Sequence, residues 1–355
     1  MSEIIKTVTV PKKRNHFISY IKGYAIISVI FIHLIDWSNI AVSPAGNWWK
    51  ELLFPGVFFF MSTAGSVVYI AYGQSETWTK PALKLLKRGA QLVATYYIYN
   101  LIKLFIYDFS KEPFYLQYTE HGKMTLKNIL TLQSFASPIG ILLTIGILIM
   151  LSPLLLLITK KVKYPNLFIT VGALVIAFLA YLFPTTGVIS NTLYSRNNIM
   201  FPLAMWSMPF IAGYLIAAFG FEEKKKWWLA IFLPLSIIAY YYQTKNGLPI
   251  KPSGSMYPLK PYYMVVSLLF MTILFYKFYF LEKIPSAIVK NILALIRFWG
   301  DSTLSIYIGH WIVIDVMMWI FFPQYKLIWW AVPVALALYS IVKIKKVKEY
   351  MVNQV

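Results

Sequence analysis

Long apolar runs are the feature that most constrains the fold of this chain. A helix needs about 20 apolar residues to cross a bilayer, and this 355-residue sequence contains about ten runs near that length. Lipid offers no partner to backbone polar groups, so such runs cross it as helices. The predicted spans are residues 17–37, 52–73, 89–107, 136–159, 167–183, 200–220, 226–243, 259–281, 302–322 and 327–343.

The composition predicts the same class, an all-α integral membrane protein. Hydrophobic residues make up 59% of the chain and charged residues only 13%, whereas soluble domains are about 25% charged. The net charge of +20 is distributed over short segments between the runs. It therefore indicates membrane topology and not a nucleic-acid partner. The chain has no cysteine, which excludes disulfides and cysteine metal sites, and we expect no metal.

The distribution of Lys and Arg predicts the orientation in the membrane. With ten spans both chain ends lie on one side, and segments on that side carry more than twice as many Lys and Arg as the opposite loops. The positive-inside rule then makes the tails 1–16 and 344–355 cytoplasmic. Of two long outer loops, 108–135 could form an interfacial helix, and 244–261 is too rich in Pro and Gly for regular structure. We find no internal repeat, so residues 1–355 are expected to form a single membrane domain.

The first span carries three ionisable residues, Lys22, His33 and Asp36. Ionisable groups inside a span are costly and usually mark function. Lys22 and His33 are separated by three helical turns plus about 20°, so they share one face at a distance of roughly 16 Å. Asp36 follows His33 by three residues and can reach the imidazole, as the carboxylate behind a general base does. The alternatives are that Lys22 extends to the cytoplasmic interface, that Asp36 is hydrated, and that His33 only packs.

Two further groups of polar residues have two possible roles each. Tyr307 and His310 share a face of the ninth span, where they serve either chemistry or interhelical hydrogen bonding. Lys84, Lys87 and Arg88 lie at the cytoplasmic entry of the third span. They bind phosphate groups or simply anchor the chain by the positive-inside rule.

Four segments resemble the membrane acyltransferase-3 family, in the family's order. I-K-G-Y-A-I-I-S-V-I-F-I-H at 21–33 is similar to its first-helix signature of a basic residue, ten residues and a histidine. G-V-F-F-F-M-S-T-A-G at 56–65 and M-P-F-I-A-G-Y-L-I-A at 208–217 resemble its later helices. S-I-Y-I-G-H at 305–310 resembles its S-x-Y-L-x-H near the C-terminus. Parts of the chain are also similar to the related heparan-glucosaminide N-acetyltransferase-like proteins.

The resemblance implies transfer of an acyl group, commonly acetyl, from cytoplasmic acyl-CoA to a hydroxyl of a glycan or lipid-linked saccharide. His33 matches the essential histidine of the family, and Lys22 matches the basic residue before it. The family's R-x-x-R is only approximated by Lys84-Leu-Leu-Lys87-Arg88. We therefore expect a membrane O-acyltransferase that acetylates a polysaccharide or its precursor. Lysine far outnumbers arginine, which is typical of an AT-rich bacterial genome, so we expect the bacterial cytoplasmic membrane.

The expected site has three parts. His33 acts as general base or is transiently acylated, with Asp36 orienting it. Acyl-CoA, most simply acetyl-CoA, is bound through its phosphates by Lys22, Lys84, Lys87 and Arg88, and the acceptor is bound by Ser305, Tyr307 and His310. The alternatives are a transporter or flippase of a saccharide or lipid, with His33 and Asp36 as a proton relay, and a non-catalytic scaffold.

Overall fold

The computed structural model describes residues 16–37, 44–106, 139–182, 203–256, 259–321 and 328–343, together with Leu126 and Leu130. Within these residues the regular structure is entirely helical. In chain order the helices are α1 His16–Trp37, α2 Pro44–Leu53, α3 Gly56–Val68, α4 Thr79–Ile106, α5 Gly140–Lys161, α6 Pro165–Leu182, α7 Leu203–Phe219, α8 Phe221–Lys245, α9 Pro261–Glu282, α10 Ala287–Asp301, α11 Thr303–Phe321 and α12 Ile328–Val342.

Each predicted span overlaps at least one of these helices, and the span 52–73 covers the end of α2, all of α3 and the π-helical turn Tyr69–Gly73 that continues α3. Four helical segments are long and apolar enough to cross a membrane: His16–Ile35, Trp48–Gly73, Gly140–Lys161 and Pro261–Glu282. Further apolar helices are shorter within the described residues. The protein is therefore a helical membrane protein, while the number of crossings and the side of the termini stay predictions.

Apolar side chains on the outside of the helices fit a lipid environment. On α6, Leu167, Phe168 and Phe178 are each more than half exposed, and on α8 the same holds for Ile237 and Ile238. Water would penalise such continuous apolar surface, whereas lipid tails accept it. These faces are therefore suited to contact with lipid.

Helix α1 is the centre of the packing. It contacts α2, α3, α9, α10, α11 and α12. Tyr20, Ile26, Val29 and Leu34 are buried on different sides of the helix, and Tyr20 stacks on Phe278 of α9 at 5.1 Å between ring centroids. A side chain on α1 is thus held from several sides.

Glycines set how closely two helix pairs approach. A Cβ placed on Gly300 of α10 would lie 1.8 Å from the Ser19 carbonyl oxygen of α1. A Cβ on Gly213 of α7 would lie 1.8 Å from the Ser62 carbonyl oxygen of α3. Small residues allow this approach in membranes, where packing and hydrogen bonds hold helices together. Ser66 of α3 adds such a bond, since its hydroxyl donates to the Gly213 carbonyl at 2.8 Å.

The connections between spans contain structure that the apolar runs do not indicate. Helix α10 lies within a segment expected to connect two spans, and it packs along α1. The segment 244–261, predicted to lack regular structure, contains a short 3₁₀ helix, Pro252–Ser255, that lies against α2. There the Ser253 backbone N–H donates to the Glu51 carboxylate at 3.0 Å. Apart from Leu126 and Leu130, the predicted interfacial helix at 108–135 lies outside the described residues.

Candidate active site

The central feature of the site is a pair of histidines from two helices. His33 on α1 and His310 on α11 are 277 positions apart in sequence, yet His33 Nδ1 and His310 Nε2 lie 3.0 Å apart. The two rings are almost parallel, with 6° between their planes. Contact between α1 and α11 produces this arrangement.

The hydrogen bonds determine which nitrogen of each ring carries a proton. His310 Nδ1 lies 3.2 Å from the Ile306 carbonyl oxygen, one turn earlier on α11. A carbonyl only accepts, so Nδ1 of His310 carries the hydrogen, and in the neutral ring Nε2 accepts. His33 Nδ1 must then donate to His310, which leaves the lone pair of neutral His33 on Nε2. A histidine fixed in this tautomer is prepared to take a proton at Nε2.

Two aromatic side chains surround the pair. The Trp311 ring lies 4.2 Å from the His33 ring and 5.2 Å from the His310 ring, measured between centroids. The Tyr307 ring meets the His310 ring edge to face at 5.3 Å. Trp311 is 1% exposed and His310 is 5% exposed, so both rings are fixed by packing. The sequence analysis did not single out Trp311, although it directly follows His310.

The structure places the other expected catalytic and acceptor residues as follows. Asp36 belongs to the last turn of α1, but its side chain lies outside the described part of the chain. Tyr307 is buried next to His310, as noted above. Ser305 is exposed, and it lies about 140° around α11 from His310. The structure thus brings His33, Tyr307 and His310 together and leaves Ser305 on another face.

The four expected phosphate-binding residues lie on two helices. Lys22 is partly buried on α1, roughly 16 Å of helix before His33. Lys84, Lys87 and Arg88 are exposed near the start of α4, which packs on α5.

A buried ion pair joins α4 to α11, the helix that carries His310. The sequence analysis did not predict this pair. The Lys103 ammonium of α4 lies 2.8 Å from Asp315 of α11, and the side chains are 3% and 13% exposed. Tyr99 donates its hydroxyl hydrogen to the second oxygen of the same carboxylate. Both charged residues lie within predicted spans, so the rule that selected His33 would also have selected them.

Comparison with known families shows which family the chain resembles along most of its length. The model of the acyltransferase-3 family, described as an acyltransferase domain, matches residues 15–342, nearly the whole chain. The matched range includes the four segments for which the resemblance was noted and both histidines of the pair. No curated protein and no solved structure matches the chain.

Proposed function

The chain belongs to the acyltransferase-3 family, and from that premise we propose that it is an acyl-CoA-dependent O-acyltransferase of the cell membrane. The acyl group is most simply acetyl, and the acceptor is a hydroxyl of a cell-surface glycan or a lipid-linked saccharide. The His33–His310 pair, with a lone pair available on His33 Nε2, is the observation that carries this proposal.

The pair supports a general-base role for His33. A base needs a lone pair directed at the acceptor and a partner that tolerates the positive charge it gains. Nε2 of His33 provides the lone pair, and Nε2 of His310 accepts from the opposite side of the same ring. His310 thereby takes the part that a carboxylate takes in a catalytic triad. Trp311 packs against the ring that becomes cationic, which favours the charged state.

The reaction proceeds with atoms and protons in balance. His33 Nε2 removes the proton of the acceptor hydroxyl, and the oxygen attacks the carbonyl carbon of the thioester. The carbon–sulfur bond of the resulting tetrahedral intermediate breaks, and His33 returns the proton to the leaving thiolate. The products are an ester on the acceptor and free CoA. The pair serves equally if the acyl group rests first on His33 Nε2, the same atom acting as nucleophile.

Donor and acceptor are expected to reach the pair from opposite sides. Lys22 lies three turns before His33 on the side predicted to be cytoplasmic, where a cation attracts the phosphates of CoA. Lys84, Lys87 and Arg88 add exposed positive charge at the start of α4. The acceptor then approaches the histidines from the other end of α1, near the predicted outer face.

The direct test measures CoA release by purified protein in lipid vesicles. Radiolabelled acetyl-CoA is supplied with a panel of glycans, and both free CoA and labelled glycan are followed. We expect release by the wild type and a loss of about 10²- to 10⁴-fold in His33→Gln, the range that general-base catalysis contributes. His16→Gln is the matched control, since His16 lies at the start of α1, 17 residues before His33.

Each outcome of this test has a defined meaning. Release that depends on His33 but not on His16 supports acyl transfer, and the identity of the acceptor is then the remaining question. A folded His33→Gln variant with wild-type release would exclude His33 as the base. If the wild type neither binds acetyl-CoA nor releases CoA, the acyl-CoA proposal is wrong, and proton-coupled transport of a saccharide is tested next.

A further inference from the structure

Asp315 of α11 is held by two side chains of one neighbouring helix. Lys103 and Tyr99 are four residues apart on α4, so they project from the same face. The Lys103 ammonium contacts one carboxylate oxygen of Asp315 at 2.8 Å, and the Tyr99 hydroxyl donates to the other. We call these three residues the α4–α11 clamp. With each carboxylate oxygen bonded to a different donor, the orientation of the carboxylate is fixed in two directions.

Asp315, the α11 residue of the clamp, lies close in sequence to His310 and Trp311. Asp315 follows Trp311 by four residues, so the two side chains lie on one face of α11, a single turn apart. Trp311 is the ring that packs at 4.2 Å against His33. A rotation of α11 that released Asp315 would turn Trp311 and His310 in the same sense. The orientation of the clamp and the geometry of the pair are therefore mechanically linked.

Stability alone does not account for an ion pair in this position. Burying two charges costs about as much as their attraction returns, and well-packed apolar side chains often do as well or better. The cost is high in a membrane span, where such groups usually serve a function. Charge-assisted hydrogen bonds are directional, so the ion pair favours one rotation of α11 relative to α4. Apolar packing does not provide this direction.

In the part of the chain that the structure describes, helices α4 and α11 have few contacts with each other apart from the clamp. Helix α4 packs mainly on α5, and α11 packs mainly on α12 and α1. Backbone packing between α4 and α11 is slight in the described residues, so long side chains bridge them. Without that bridge α11 has few contacts on its α4 side to resist rotation.

We infer that Tyr99, Lys103 and Asp315 are positioning residues that set the rotation of α11 and so keep His310 Nε2 on His33 Nδ1. Part of this inference rests on the proposed acyl transfer, because its kinetic consequence appears only in a working enzyme. The geometric consequence does not depend on activity, since the hydrogen bond between the histidines is observable by itself.

The kinetic test uses Asp315→Asn and a double variant, Lys103→Met with Asp315→Asn. The double variant removes both charges together, so it leaves no unpaired charge buried and is expected to fold. We expect kcat to fall about ten- to a hundredfold, as small misplacements of catalytic groups do, with KM for acetyl-CoA changed less than about twofold. The exchanged pair, Lys103→Asp with Asp315→Lys, should recover part of the loss.

Thr159→Val is the control for a general loss of packing. It removes the 2.8 Å hydrogen bond between Thr159 of α5 and Tyr214 of α7, away from α11. It should lower thermal stability without lowering kcat. Wild-type kcat in the folded double variant would contradict the positioning role of the clamp. A loss of kcat in Thr159→Val equal to that in the double variant would contradict it as well.

A second measurement separates failure of the clamp from failure of the proposed reaction. The chain has four histidines, so ¹⁵N-histidine NMR can be assigned with single variants. In the wild type we expect His33 to carry its proton on Nδ1, bonded to His310, and in the clamp variants we expect that bond to be lost. If the wild type releases no CoA, the proposed reaction is wrong. The spectra then still show whether the hydrogen bond between the histidines depends on the clamp. Unchanged histidine spectra in the double variant would overturn it.

Discussion

At the residue scale, His310 is more than a packed polar side chain, because it accepts a hydrogen bond from His33. Its Nδ1 is occupied by the Ile306 carbonyl, so its Nε2 faces His33 as an acceptor. Asp36 is the only partner for His33 that spacing along a single helix offers. The structure supplies a partner from another helix, and neutral imidazole accepts a hydrogen bond without bringing a second charge into the apolar interior.

Replacement of His310 tests this acceptor role. The side-chain carbonyl of Gln in His310→Gln can still accept from His33 Nδ1, whereas His310→Leu cannot. We expect His310→Leu to lower kcat about 10²-fold, because His33 loses both its fixed tautomer and the support of its cationic form. His310→Gln should retain clearly more activity. Initial rates of CoA release under saturating acetyl-CoA measure both, and equal rates in the two variants would contradict the acceptor role.

Trp311 is expected to favour the protonated state of His33. An aromatic face stabilises a nearby cation by about 0.5–2 kcal/mol, and the indole lies against the ring that gains the proton. Trp311→Leu should therefore lower kcat about tenfold, by the usual conversion of barrier into rate, while Trp311→Phe should lower it less. Trp330→Leu is the matched control, because Trp330 is 74% exposed on α12. A loss in Trp330→Leu as large as in Trp311→Leu would contradict the role of the indole.

At the element scale, the close contact between α1 and α10 holds the start of α11 in place. Gly300 lies three residues before α11, and its backbone touches that of Ser19. Next to this contact the Ser19 hydroxyl donates to Asp301 at 2.7 Å. The helix with His33 and the helix with His310 are therefore joined by a short rigid connection at one end.

Gly300→Ala should disturb this connection. The added Cβ would meet backbone atoms, which cannot move aside as a flexible side chain does. Overpacking of this kind costs about 1–3 kcal/mol, so we expect a lower midpoint of thermal unfolding in detergent and a lower kcat. Gly309→Ala is the matched control, since no heavy atom lies within 4 Å of its added Cβ although it neighbours His310. A Gly300→Ala variant as stable and as active as Gly309→Ala would refute the argument.

The elements differ in how far the sequence predicts them. Apolar runs locate the helices that carry His33 and His310, because period and length are local properties. Helix α10 was not expected, since Lys290 and Arg297 make its segment less apolar than a span. One side of this helix is buried, with Leu293, Arg297 and Phe298 enclosed, while Ile288 and Ile292 on the other side are exposed. Such a helix is recognised once its partner, α1, is known.

The pairing within the site could not be predicted for a related reason. His33, His310, Lys103 and Asp315 can all be selected as ionisable groups within predicted spans. Which of them meet depends on how the helices pack, and local spacing and composition do not show that. Within one helix the spacing does give neighbours, which is why Tyr307 and His310 were correctly expected to share a face.

At the scale of the whole molecule, the orientation in the membrane decides which substrate reaches which end of the site. His33 lies 17 residues after the start of α1 at His16, which is about 25 Å of helix. The pair is therefore nearer to the end of α1 than to its beginning. With a cytoplasmic N-terminus the histidines lie towards the outer face, and Lys22 lies towards the side where acyl-CoA is made.

Cysteine labelling can test this orientation, because the native chain has no cysteine to interfere. Asn246 and Asn291 are both exposed asparagines. The predicted topology puts Asn246 in an outer loop and Asn291 on the cytoplasmic side. We expect Asn246→Cys to react with a membrane-impermeant maleimide in intact cells, and Asn291→Cys to react only after the membrane is opened.

The two sites together distinguish the possible errors. The opposite labelling pattern would mean an inverted protein, with His33 near the cytoplasm and Lys22 too far out to hold a cytoplasmic donor. Labelling of both sites in intact cells would mean that the number of crossings between them is wrong. Only the expected pattern puts Lys22 towards the cytoplasmic donor and the histidine pair towards the outer face, as transfer from cytoplasmic acyl-CoA to a surface saccharide requires.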